Sequence, residues 1–153
     1  MMTGSKKATD QKSLKLGPTA KAVRTAKVNL ESTDPEDIVP FRPTLDPLSV
    51  KIIQQLGNRW QLRGNPTALK IVEPFLGKDI DKLPLAKFIR DVWPNIEPHS
   101  IKSTGVLYMW TKYTHDEIKR LAWAANLGGN MSKMMRVMIY YTAIKEGIPV
   151  PKT

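Results

Sequence analysis

The chain has 153 residues, enough for one ordinary domain or a small domain with a tail, and its composition of 41% hydrophobic and 25% charged residues suits a globular core. It holds no cysteine, which excludes disulfides, thiolate zinc sites and a cysteine nucleophile; no apolar run approaches the ~20 residues that span a bilayer. The net charge of +10 is uneven: residues 1–30 hold seven cations against one anion (+6), residues 31–102 ten of each, and residues 103–153 seven against three (+4).

Residues 1–35 mix Lys, Ser, Thr, Ala and Gly with scattered Leu and Val, too little apolar surface to offset the entropy of ordering. They are predicted to form a disordered basic arm carrying Lys6, Lys7, Lys12, Lys15, Lys21, Arg24 and Lys27. Residues 36–47 follow as a Pro-rich linker, because each proline removes a backbone donor and biases its predecessor away from helix. Residues 48–102 are predicted to be a small helical region. Its first helix starts near Leu48 and is stopped by Gly57; its second is capped by Asn65, with Pro66 in the first turn, and ends at Gly77. A third runs from Leu83 to Trp93, with Leu85, Phe88, Ile89 and Val92 at helical spacing.

After Gly105 the period changes. Val106 to Tyr113 is rich in aromatic and β-branched residues and reads as one strand. Thr114 offers an N-cap to a helix that buries Ile118, Leu121, Ala122 and Ala125, and Gly128-Gly129 supply its stop. Asn130 or Ser132 then caps a second helix with apolar positions at Met134, Met135, Met138, Ile139, Ala143 and Ile144, closed by Gly147 before a tail of residues 148–153. A lone strand is unstable in water, so the same strand of a second copy is the expected partner.

The stretch from Leu107 to Gly147 resembles the ribbon-helix-helix (Arc/MetJ-type) DNA-binding family. The resemblance runs through Lys112-Tyr113-Thr114, Glu117-Ile118, Leu121 and Ala125, then Gly128 or Gly129, Ser132, Arg136 and Ile139, closing on Lys145-Glu146-Gly147. It implies a mainly α fold in which residues 105–147 form a dimeric two-stranded ribbon covered by two helices per copy, reading the DNA major groove. By that resemblance Tyr108, Trp110 and Lys112 face the bases. An outward Trp is a departure from the family, and a one-residue slip in register puts Tyr108 and Trp110 in the core instead. Free N–H groups at the start of the second helix, with Asn130, Ser132 and Lys133, form the candidate phosphate site; an ordinary capped helix has the same sequence. The Met-rich stripe around Met131, Met134, Met135 and Met138 reads as dimer core.

The expected function is therefore that of a homodimer, or a higher oligomer on DNA, binding specific double-stranded DNA. Family members act as transcriptional repressors, plasmid partition proteins and accessory proteins of conjugative DNA processing. Two alternatives stay open: a helix-turn-helix DNA binder, and a structural or packaging protein that binds nucleic acid without sequence preference. No enzyme is expected, since His99 and His115 lack carboxylate or cysteine neighbours at ligand spacing, and no cofactor or metal is implied. Residues 48–102 are a candidate protein contact, no membrane is involved, and the expected place is the cytoplasm, beside the nucleoid.

Overall fold

A computed structural model describes residues 34–99, 101 and 106–152. Among these the elements run β1 (Ile38–Phe41), α1 (Pro47–Trp60), α2 (Asn65–Val72), α3 (Pro84–Asp91), α4 (Trp93–Ile96), β2 (Tyr108–Thr111), α5 (Lys112–Ala124) and α6 (Met131–Lys145), with single 3-10 turns at Glu73–Phe75 and Ile80–Lys82.

The predicted dimeric ribbon is overturned. β2 pairs within the chain, antiparallel to β1, in the register Ile38–Thr111, Val39–Trp110, Pro40–Met109 and Phe41–Tyr108. The partner strand thus comes from the stretch predicted to be a Pro-rich linker. Pro40 is tolerated because it stands opposite Met109, whose own N–H and C=O point away from β1. They are taken by the side-chain amide of Asn65: Met109 N–H donates to Asn65 Oδ1 at 3.2 Å, and Asn65 Nδ2 donates to the Met109 carbonyl at 2.6 Å. One edge of β2 is therefore paired with β1 and the other is met at Met109 by Asn65, so the strand finds its partner within the chain and does not call for a second copy.

α6 is the axis of the fold. Every residue from Met134 to Tyr140 is buried, as are Thr142 and Ala143, the signature of a helix surrounded by protein. It touches α1, α2, α3 and α5. The Met-rich stripe is thus the core of this one chain, and that core runs continuously from Phe41 to Ile148. α6 ends as the sequence predicts: Gly147 takes φ +80° and Ile148 N–H reaches back to the Ala143 carbonyl at 2.8 Å.

Other boundaries move for local reasons. α5 starts at Lys112, three residues before the expected first turn, because Thr111 rather than Thr114 is the cap, its Oγ1 accepting from Thr114 N–H at 3.3 Å. It ends at Ala124, and Asn126 two residues on adopts φ +61° so that Leu127 N–H bonds the Ala122 carbonyl at 2.9 Å. α1 runs through Gly57 instead of stopping there. That glycine marks a close approach, since a Cβ would lie 2.7 Å from the Leu62 carbonyl oxygen and 3.1 Å from Thr67 Oγ1. Asn65 does not cap α2, because its amide is spent on β2; Gly64 takes the cap position with no side-chain bond. α3 stops at Asp91, and Pro94 sits in the first turn of α4.

Candidate nucleic-acid interface

The strand residues expected to read bases are in the core. Tyr108 is 3% and Trp110 4% exposed. Their rings stack at 5.3 Å, and Phe41 of β1 stacks on Trp110 at 5.6 Å. Burial raises the Tyr108 phenol to a pKa of about 12. The physical reason is area: aromatic rings of ~150–250 Å² gain more from mutual cover than from water, and Val39 and Phe41 provide that cover. Lys112 belongs to α5, and its ammonium binds Asp116 one turn on at 2.5 Å. That bond holds the Asp116 carboxyl below its ordinary value.

The side chains of the expected phosphate site at the start of α6 are engaged within the protein. Asn130 Oδ1 accepts from Lys133 N–H at 2.9 Å, which is an ordinary cap. Ser132 Oγ accepts from Thr44 N–H at 2.9 Å, while Arg136 Nη1 donates to the Thr44 carbonyl at 2.6 Å. Lys133 Nζ pairs with Glu97 at 3.2 Å. Behind this clamp lies a buried polar cluster. Asp46, 2% exposed, accepts from Ser49 N–H (3.1 Å), Ser49 Oγ (2.6 Å) and Tyr140 Oη (2.5 Å). Burial, reinforced by the bond to Asp46, raises the Tyr140 phenol, and desolvation lowers Arg136. The helix-turn-helix alternative meets the same obstacle, since a helix buried along its length cannot enter a DNA groove.

The surface of α5 is also largely self-neutralised. Glu117 accepts from Gly77 N–H at 2.7 Å and pairs with Arg120 at 2.8 Å, and Arg120 also donates to the Lys78 carbonyl at 2.8 Å. The Arg120 bond, with that of Gly77, keeps Glu117 below its ordinary value. These charges tie the loop around Gly77 to α5 rather than face solvent alone.

Positive charge is instead left unbalanced on α1–α2. From Pro47 to Val72 the sequence holds Lys51, Arg59, Arg63 and Lys70 and no Asp or Glu. Lys51, Gln54, Gln55, Asn58 and Arg59 are exposed along one side of α1, at helical spacing. Arg59 pairs with Glu146 at 3.5 Å and bonds its carbonyl, whereas Lys51 and Arg63 have no ion-pair partner among the described residues. Lys70 lies 4.7 Å over the Trp60 ring, on the wall of a groove of about 400 Å³ that Lys145, Glu73 and Glu146 also line. A smaller recess of about 190 Å³ opens beside Gln54, Asn58, Arg63, Gly64 and Thr67. Sequence reasoning missed this face because it weighed charge over long segments. The acid-free run itself was readable. The basic arm, with its cations from Lys6 to Lys27, lies outside the described residues apart from Asp34 and Pro35.

No family model, no curated protein and no solved structure matches the chain. Among the described residues no helix is long and apolar enough to cross a membrane.

Proposed function

We propose that this chain is a nucleic-acid-binding protein, not an enzyme, that engages the phosphate backbone rather than base edges, through the α1–α2 face and the cations of residues 1–30. The observation that carries the reading is charge placement: a helix pair with four cations and no acid, joined to an N-terminal stretch of net +6 (seven cations, one anion). Such surfaces bind polyanions by releasing condensed counterions, whatever the base sequence. Tyr108 and Trp110, the side chains expected to discriminate bases, are core, so of the functions read from the sequence the structural or packaging role fits best. That role places the protein in the cytoplasm beside nucleic acid, and it needs neither a dimeric ribbon nor a specific site.

The test is fluorescence anisotropy on random and GC-matched duplexes between about 50 and 200 mM salt. Affinity is expected to fall log-linearly with salt by the same slope on every duplex. Removing residues 1–33, with seven cations, should shallow that slope. Absence of binding at low salt, or strong preference for one duplex, contradicts the reading.

A further inference from the structure

The groove at the far end of α1–α2 has the chemistry of a base-stacking site. Trp60, the last residue of α1, lines it together with Phe75 and Tyr141. Tyr141 is half-buried, and its ring is held edge-on by two buried rings, Phe75 at 5.7 Å and Phe88 at 5.4 Å. Its hydroxyl makes no hydrogen bond among the described residues. Trp60 is half-buried as well, and the side chain over its ring is an exposed lysine, Lys70, whose ammonium lies 4.7 Å from the ring centroid. At about 400 Å³ the space falls within the ~300–1,000 Å³ of small-molecule sites, a size for one flat ring and its sugar.

Charge decides the class of ligand. Lys70 and Lys145 line the groove and have no ion-pair partner among the described residues. Of its two acids, Glu146 is paired with Arg59 at 3.5 Å, which leaves Glu73 alone against the two lysines. Arg59 also belongs to the exposed side of α1, so the groove continues the acid-free face that begins at Lys51. An apolar side chain of a partner would satisfy the aromatic walls and leave both lysines without a counter-charge. A nucleotide satisfies both, base on ring and phosphate on ammonium. An exposed cation–π contact is weaker than a base stacked on an aromatic ring, so an entering base displaces Lys70 from Trp60 and frees its ammonium for the neighbouring phosphate.

We infer that this groove takes one unpaired base of a single-stranded nucleic acid, stacked on Trp60 beside Tyr141, with Lys70 and Lys145 on the flanking phosphates. The inference rests on the proposed function and deepens it. The α1–α2 face holds the backbone, and the groove adds a contact to the flat face that every base has, so binding stays indifferent to sequence. In a duplex those faces are covered by neighbouring pairs, so the groove favours single strands.

The experiment uses the full chain with an adenine dodecamer, an abasic strand of the same phosphate count, and adenosine monophosphate. By anisotropy the dodecamer should bind at least about fivefold more tightly than the abasic strand at equal salt, the lower end of what one stacked base contributes. Trp60→Leu should abolish that difference and leave affinity for the abasic strand unchanged, whereas Lys51→Gln/Arg63→Gln should weaken both strands alike. In the parent protein, adenosine monophosphate should shift the Trp60 indole N–H saturably and inorganic phosphate should not, a readout that depends on no variant. Equal affinity for the two strands overturns the groove as a nucleic-acid site and leaves the proposed function standing. A saturable shift with adenosine monophosphate, with neither strand nor a random duplex bound, keeps the groove as a base site and overturns the proposed function. Equal loss of affinity for both strands in Trp60→Leu overturns the stacking role.

Discussion

The two helix pairs, α1–α2 and α5–α6, treat the same kinds of residue in opposite ways. At the start of α6, cap, serine and lysine are all committed: Asn130 to Lys133 N–H, Ser132 to Thr44, Lys133 to Glu97. At the start of α2 the cap is a bare glycine, the asparagine is diverted to β2, and Arg63 is unpaired among the described residues. In sequence the α6 start looks the better anion site. The difference is tertiary: Thr44 and Glu97 bond the start of α6, whereas among the described residues no acidic side chain lines the recess at the start of α2. A helix N-terminus is an anion site only when the rest of the chain leaves it open.

The sharpest way to break this comparison is to attack the strand. If β2 is core, Trp110→Ala should cost about 3–5 kcal/mol by denaturant unfolding, the range for truncating a buried aromatic ring. A groove-reading Trp110 would lose DNA affinity with stability unchanged. Next in size is Tyr140→Phe, which removes the bond to buried Asp46 and should cost about 1.5–3 kcal/mol, the range for hydrogen bonds to charged groups.

Much of α6 is legible in the sequence, because Met134, Met135, Met138, Ile139 and Ala143 recur at helical spacing and Gly147 supplies the left-handed stop. The strand from Tyr108 was legible as a strand, but its facing was not: alternation has period two, so register is decided only by the partner. That partner was concealed, since Val39 and Phe41 flank Pro40 in a stretch dense with prolines. Gly57 and Asn65 mislead for a related reason. Each has a strong local meaning, stop or cap, and each serves a distant contact instead, with Thr67 and with Met109. The candidate site was half visible, as an acid-free run with four cations; the groove that brings Trp60, Phe75 and Tyr141 together depends on packing that no local pattern encodes.

A smaller effect concerns the paired surface of α5. The carboxyls of Asp116 and Glu117 lie below their ordinary values of 3.8 and 4.5, chiefly through bonds from Lys112 and Arg120. Their contribution to stability is complete above those ordinary values and is lost as pH falls through the lower folded-state values. Denaturant midpoints should therefore decline toward acid, and Lys112→Ala should flatten part of that decline. At neutral pH the same variant should cost only about 0.3–0.5 kcal/mol, as an exposed i,i+4 pair does.

The most direct measurement compares the two helix pairs as binding surfaces in one assay: the salt dependence of affinity for a random duplex with the Lys51→Gln/Arg63→Gln and Lys112→Ala/Lys133→Ala variants. The first pair should lower the slope by up to about 1.8, at about 0.9 per phosphate contact, and the second should leave it unchanged. A slope that falls only for Lys112 and Lys133 would return the interface to the C-terminal helix pair and contradict the placement on α1–α2.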